Sequence, residues 1–389
     1  MRADDVATWE LERRRAAGLL RRLRPLDGPQ DPWVTIEGRR VLLLCSNNYL
    51  GLATHPALRE AAARAARDWG VGAGASRLIS GSLRLHEALE EQLAALKGTA
   101  AALLFGSGYQ ANVGAITALV GSDDAVFSDE LNHASIIDGC RLSRARVLVY
   151  PHNDVEALAA LLTRHSARRR LVVTESVFSM DGDSAPLAAI CDVADRYGAF
   201  VMVDEAHATG VLGPTGGGLV EAAGLRGRVA LQVGTLGKAL GTYGAFVAGS
   251  RAVVDLLVNA ARSFVYTTAL PPPAVAAAAA AVNVLQAEPQ RRQQLAANAS
   301  TLWHGLRDAG LQVGAAPGHI IPVHIGDAER TMQWSEALLA AAVFVQGIRP
   351  PTVPPGTARL RVTVMSTHTA TDLAAAVTAF RQVCVPGAA

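Results

Sequence analysis

Val201-Met202-Val203-Asp204-Glu205-Ala206-His207-Ala208-Thr209-Gly210 opens the stretch that decides the fold, and Val233-Gly234-Thr235-Leu236-Gly237-Lys238-Ala239-Leu240-Gly241 closes it. Val201-Met202-Val203 is a short apolar run, the pattern of a strand covered on both faces. Asp204 falls at its carboxyl end, where open α/β sheets place ligands. Val229–Val233 is a second such run and delivers Thr235 and Lys238 into a Gly-rich turn. Working outward, Leu42–Cys45, Ala101–Phe105, Ala125–Phe127, Leu171–Val173 and Ala245–Ala248 read as further strands. Helical patterns fall at Trp9–Arg24, His86–Lys97 and Asp154–Arg169. Repeated strand–helix alternation predicts an α/β fold with a mostly parallel sheet flanked by helices. The helical region from Pro272 to Leu285 marks a boundary, and Ile320–Ile325 begins the strands of a smaller α+β part. The expected organisation is an N-terminal helical segment at 1–45, a large domain at 46–285 and a small C-terminal domain at 286–389.

A carboxylate and an amine on adjacent strand ends are what pyridoxal 5'-phosphate (PLP) requires. The Lys238 amine forms a Schiff base with the aldehyde. Asp204 keeps the pyridine nitrogen protonated, so that the ring accepts electrons. His207, three residues on, is placed for the ring's phenolic oxygen. Upstream, the strand Ala101–Phe105 runs into Gly106-Ser107-Gly108-Tyr109-Gln110-Ala111-Asn112. A strand, a Gly-rich turn and a helix form a phosphate cradle, in which free N–H groups and the helix dipole face the anion. The turn has neither a Walker Gly-Lys-Ser/Thr nor a dinucleotide fingerprint. It is read as a PLP phosphate site, using the N–H groups of Gly108 and Tyr109.

D-E-A-H-x-x-G followed by G-T-L-G-K-A-L-G resembles the α-oxoamine synthase family of fold-type-I PLP enzymes, over nearly the whole chain from Leu19 to Phe380. S-N-N-Y-L-G-L at 46–52 is similar to the family's S-N-D-Y-L-G-L turn. It makes Asn47 a candidate substrate contact, with a purely structural turn as the other reading. The G-A-G-A-S-R loop around Ser76 resembles one contributed across a dimer. Serine there leaves room for a methyl group on the substrate. His133, after Asn132, which is a candidate helix cap, is expected to stack on the PLP ring. F-S-M-D-G-D-S-A-P-L at 178–187 makes Ser179 a cofactor contact and Asp181 and Asp183 turn residues. Glu175, at the preceding strand end, is placed to tune the site. In Y-T-T-A-L-P-P at 266–272, the resemblance implies that Thr267 and Thr268 reach the phosphate of a neighbouring subunit. Arg21 is the matched contact for the distal carboxylate of an acyl chain. I-R-P-P-T-V-P at 348–354 makes Thr352 a substrate contact. Arg361 is the expected clamp for the amino-acid carboxylate, with Arg349 and Arg359 as alternatives.

The resemblance implies decarboxylative condensation of L-alanine with a pimeloyl thioester, carried by coenzyme A (pimeloyl-CoA) or by acyl carrier protein. Lys238 is the general base, and the active site lies at a homodimer interface. Sibling activities (glycine C-acetyltransferase, 5-aminolevulinate synthase, serine palmitoyltransferase) share Asp204 and Lys238. A non-catalytic subunit would have little need of the lysine. Composition agrees. Half of the 389 residues are hydrophobic and 18% are charged, which suits a large buried sheet with a subunit interface. A net charge of +2 calls for no nucleic acid. No apolar stretch reaches the length of a membrane span. The four cysteines, Cys45, Cys140, Cys191 and Cys384, show neither paired nor metal-site spacing, so a cytoplasmic location and no metal are expected.

Overall fold

The computed structural model describes residues 1–384. The chain separates into two compact units. One comprises residues 47–297 and 365–367. The other comprises residues 1–46, 298–364 and the segment from His368 onward.

The strands, in chain order, are β1 (Trp33–Ile36), β2 (Arg39–Leu43), β3 (Ala101–Phe105), β4 (Ala125–Asp129), β5 (Arg146–Tyr150), β6 (Arg170–Glu175), β7 (Phe200–Asp204), β8 (Leu231–Thr235), β9 (Ala245–Gly249), β10 (Ile320–Gly326), β11 (Val343–Phe344), β12 (Gln346–Ile348) and β13 (Ala358–Thr363). The larger unit is built on a seven-stranded sheet of order β3-β9-β8-β7-β6-β4-β5. Strands β5, β4, β6, β7 and β8 run parallel, while β9 is antiparallel to both its neighbours. Strand alternation sorts the side chains into two cores. Leu171, Val173, Met202, Leu231 and Val233 face one helical layer, and Val172, Val201 and Val203 face the other. Both layers are lined by buried apolar side chains, and each fully buried Leu, Ile or Phe contributes about 1.5–3 kcal/mol.

The other unit holds two three-stranded sheets, β1-β2-β11 and β10-β13-β12. Within it, Thr363 N–H donates to Leu44 C=O at 2.8 Å and Thr363 Oγ1 to Ser46 C=O at 2.7 Å. The helices Ala328–Ala340 and Ala370–Cys384 belong to this unit.

Several element boundaries differ from the sequence expectation. The helix expected over Trp9–Arg24 runs instead from Ala3 to Ala16. Gly18, at φ 67°, stops it: Gly18 N–H donates to Arg15 C=O and Leu19 N–H to Arg14 C=O. This is a Schellman stop, which a glycine adopts without Cβ strain. The helix expected over Asp154–Arg169 covers only Val155–Arg164. Arg168 and Arg169 are drawn off it by the buried Asp124 carboxylate, which both guanidinium groups and the Arg169 N–H contact. Asn132 is not a helix cap. Its amide donates to Ser128 Oγ and Val173 C=O and accepts from Glu175 N–H, stitching β4 to β6. The cap is His133, whose Nδ1 accepts from Ser135 N–H. A side chain that bridges strands far apart in sequence leaves no local signal, so the cap reading failed there.

Candidate active site

The carboxyl ends of the parallel strands carry Asp129, Glu175, Asp204 and Thr235. Asp204 is 6% exposed and pairs in register with Glu175 on one side and Val233 on the other. Its carboxylate is held from two directions. Asn112 Nδ2 donates to Oδ2 at 2.7 Å and Ala206 N–H donates to Oδ1 at 2.9 Å. Charge-assisted bonds of this kind are short and directional, and they fix the orientation of the carboxylate. Asn112 Nδ2 also lies 2.9 Å from Ser135 Oγ, which is 2.7 Å from His133 Nδ1. A polar chain therefore joins Asp204 to His133.

The Lys238 amine is 2.8 Å from His207 Nε2, and His207 Nδ1 is 2.7 Å from the Tyr49 hydroxyl. Thr235 shapes the turn that delivers the lysine: its hydroxyl accepts from Gly237 N–H and donates to Gly244 C=O. Asp204 and Lys238 both act on His133 electrostatically. Burial and the Lys238 charge hold this imidazole below its usual range against the opposing pull of Asp204. Glu175 is almost wholly buried, and burial, reinforced by the Asp204 charge, pushes its carboxyl up to about 8. Its Oε1, with Ser176 Oγ and Asn112 Oδ1, is buried without a hydrogen-bond partner.

The helix Gly108–Leu119 points its first turn into this region. Ser107 caps it by accepting from Gln110 N–H at 3.2 Å. The N–H groups of Gly108 and Tyr109 lie in that first turn, where no intrahelical acceptor exists. A Cβ built on Gly108 meets nothing within 4 Å. A carboxylate, an amine, two imidazoles and a helix N-terminus fit a phosphate-bearing pyridine aldehyde. The partnerless polar atoms at the strand ends agree with a polar occupant.

Ser76, Thr267 and Thr268 gather elsewhere in the same unit. Ala269 N–H donates to Ala75 C=O at 3.0 Å, tying the glycine loop to the Y-T-T-A segment. Thr267 and Thr268 line a small cleft with Arg77, Phe105 and Gly106. Gly81 is required here, because a Cβ would stand 2.0 Å from Ala75 C=O. Ser179 is half-buried in a turn closed by Gly182 N–H donating to Phe178 C=O. Asp183 in that turn is bound by His152 Nε2 at 2.8 Å and Asn153 Nδ2 at 2.9 Å, the structural part expected of it.

The remaining candidates belong to the other unit. Arg21 donates to Thr352 Oγ1 at 3.2 Å, and both line a cavity of 710 Å³ with Arg22, Arg24, Ile348 and Arg349. Arg349 is engaged by Leu20 C=O and the Met332 sulfur. Arg359 and Arg361, two apart on β13, share one face of the strand and are both buried. Arg359 donates to Thr357 C=O. Sequence reasoning missed the supporting shell, namely Tyr49, Asn112 and Ser135. Tyr49 and Asn112 stand inside quoted motifs, but their partners His207 and Asp204 lie 158 and 92 residues away. No group of His, Cys, Asp and Glu able to hold a metal ion occurs among the described residues.

Fold and site together define a fold-type-I α/β enzyme of the PLP class. The model of the aminotransferase class I and II family matches residues 39–380. The chain belongs to that family, on its α-oxoamine synthase branch. It is 52% identical over 378 residues to 8-amino-7-oxononanoate synthase from Geotalea daltonii, which covers 96% of each chain. A solved serine palmitoyltransferase from S. paucimobilis with bound PLP and myriocin matches with TM-score 0.93. It is 34% identical, over 97% of this chain and 96% of that one. The solved 8-amino-7-oxononanoate synthase from Francisella tularensis matches with TM-score 0.75 and 27% identity, over 88% and 97%.

Proposed function

We propose that the chain catalyses the PLP-dependent condensation of L-alanine with a pimeloyl thioester, releasing carbon dioxide and the thiol carrier. This is the reaction of an 8-amino-7-oxononanoate synthase, a step of biotin biosynthesis. The observation that carries the reading is the Lys238 amine seated on His207 beside a doubly hydrogen-bonded Asp204. Backbone similarity alone does not choose among siblings, since a serine palmitoyltransferase superposes with the higher TM-score. Sequence does choose: 52% identity to the oxononanoate synthase against 34% to the palmitoyltransferase.

Bound PLP supplies an electron sink for the charge that develops at the substrate α-carbon. Asp204 holds the proton on the pyridine nitrogen. Lys238 binds the cofactor and, once displaced, takes the α-proton as general base. His133 orients the ring from one face. Gly108 and Tyr109 offer N–H groups to the phosphate, with Ser179, His207 and Thr235 as further cofactor contacts. Asn47 and Ser76 are the proposed neighbours of the amino-acid substrate. Arg21 and Thr352 line a cavity that is both cationic and apolar, which suits an acyl chain ending in a carboxylate. Arg361 is proposed for the amino-acid carboxylate. Arg349, which donates to Leu20 C=O and the Met332 sulfur, and Arg359 are the alternatives. Thr267 and Thr268 are proposed to serve a second copy of the chain. No helix among the described residues is long and apolar enough to cross a membrane.

The test is release of coenzyme A from pimeloyl-CoA by the PLP-loaded protein, with L-alanine, glycine and L-serine compared. Fastest turnover with L-alanine is expected, and none in Lys238→Ala. Preference for glycine with a short acyl donor, or for serine with a long one, would move the chain to a sibling activity.

A further inference from the structure

The S-N-N-Y turn stands as either a substrate contact or a structural turn, and the geometry gives it a third role. Tyr49 is 0% exposed and is pinned along its backbone. Its N–H donates to Asn47 C=O at 2.8 Å and its C=O accepts from Ser366 N–H at 2.7 Å. Its hydroxyl donates to Asn47 Oδ1 at 3.0 Å and lies 2.7 Å from His207 Nδ1. Beyond the imidazole, Nε2 faces the Lys238 amine at 2.8 Å.

The direction of the protons follows from the chemistry at one end. Asn47 presents a carbonyl oxygen, which only accepts. If the phenolic proton turned toward His207, two oxygens would face each other at 3.0 Å with no hydrogen between them. The proton therefore lies on the Asn47 side. The phenolic oxygen is then the acceptor for His207 Nδ1–H, and Nε2 carries the lone pair. A tautomer is set by the hydrogen bond made at the other ring nitrogen.

Resting on the reading above, we propose that Tyr49 is a positioning residue: oriented by Asn47, it fixes His207 with its proton on Nδ1, so that Nε2 becomes the seat for the Lys238 amine. The seat matters because Lys238 alternates between bonded and free. A free amine that donates to a fixed lone pair stays where the α-proton must be collected and does not swing on four rotatable bonds. The chain ends in an amide oxygen, a very poor base, so it holds the proton in place and does not conduct it to solvent. The arrangement also limits the expected bond from His207 to the phenolic oxygen of the cofactor. Nε2 donates there only when the ring carries both protons.

The test uses the full chain without cofactor, labelled with ¹⁵N-histidine, with the His207 signals assigned by comparison with His207→Gln. Nitrogen shifts and couplings are expected to place the proton on Nδ1 in the unsubstituted protein. Tyr49→Phe keeps the ring and removes only the hydroxyl, and it should shift the population toward Nε2–H. Should that variant not fold, Asn47→Leu leaves the phenol packed and removes the acceptor that orients it, and the same shift is expected. A proton on Nε2 in the unsubstituted protein, or an unchanged tautomer in the variants, would overturn the proposal. In the loaded enzyme, Tyr49→Phe should lower kcat about tenfold, one hydrogen bond's worth, with KM for L-alanine unchanged. The NMR arm does not depend on which substrate is used, so its failure is distinguishable from failure of the functional reading.

Discussion

Asp204 and Glu205 are neighbours in sequence and opposites in circumstance. Asp204 faces the strand-end site, with Glu175, His133 and Lys238 in electrostatic reach and several polar atoms nearby lacking partners. Glu205 turns the other way and is fully buried, with both carboxylate oxygens hydrogen-bonded. Its Oε2 is 2.5 Å from Lys97 Nζ and its Oε1 accepts from Val220 N–H. Lys97 completes its three donors with Thr209 Oγ1 and Gly217 C=O, and both charged side chains are fully buried. One acid lies among unpartnered polar atoms at the strand ends, and the other is closed into an ion pair. Adjacent residues on extended backbone point to opposite sides, so a single D-E dipeptide serves both ends.

This contrast can be broken from either side. Asp204→Asn keeps the shape and removes the charge. Turnover should fall about 10²–10³-fold, the size of one preorganised electrostatic contact, while the urea midpoint stays close to that of the parent. Lys97→Met should do the reverse. It leaves a buried carboxylate unpaired, and unfolding free energy should drop by about 3–5 kcal/mol. The double substitution Lys97→Met with Glu205→Leu should recover most of that loss. If it does not, the pair contributes more than charge balance.

Glu175 lies between these extremes. Its carboxyl is raised to about 8 by burial and the neighbouring Asp204 charge. The folded state therefore binds the proton more tightly than the unfolded chain, and stability falls as pH rises from the ordinary glutamate range to about 8, then levels. Glu175→Gln has no proton to lose. Its thermal midpoint should gain on the parent across that window and run parallel above it.

The smallest effect concerns His152, whose Nδ1 and Nε2 face Asp129 at 3.0 Å and Asp183 at 2.8 Å. Although burial opposes the charge, the two carboxylates raise this imidazole to about 10. Its contribution is complete below the unfolded histidine range and is lost as pH climbs through about 10. The side chain is partly open to water, so His152→Gln should cost only about 1 kcal/mol at pH 7. The difference from the parent should close above pH 10 in denaturant titrations.

The strand ends that carry Asp204 and deliver Lys238 are legible in the sequence because their signals are local. An apolar run ending in aspartate and a glycine turn carrying lysine each state their own structure, and the strands Ala101–Phe105 and Phe200–Asp204 lie where the hydrophobic runs put them. What was illegible depends on partners remote in sequence. Asn132 looks like a cap until Val173 and Glu175 are seen beside it. Tyr49 reads as a turn aromatic until His207 arrives, 158 residues on. The early stop of the first helix is readable in Gly18, which takes the left-handed conformation that ends a helix.

The sheet order has a consequence for the newly made chain. β3 occupies an edge and pairs with β9 alone, about 140 residues further along. At ordinary ribosome speeds that interval lasts roughly 7–30 s. Throughout it, Ala101-Ala102-Leu103-Leu104-Phe105, every residue of which ends buried, has no strand to join. Within the seven-stranded sheet β3 is thus the first strand to leave the tunnel and cannot join before β9 has followed, and during that interval its apolar residues are exposed to chaperones.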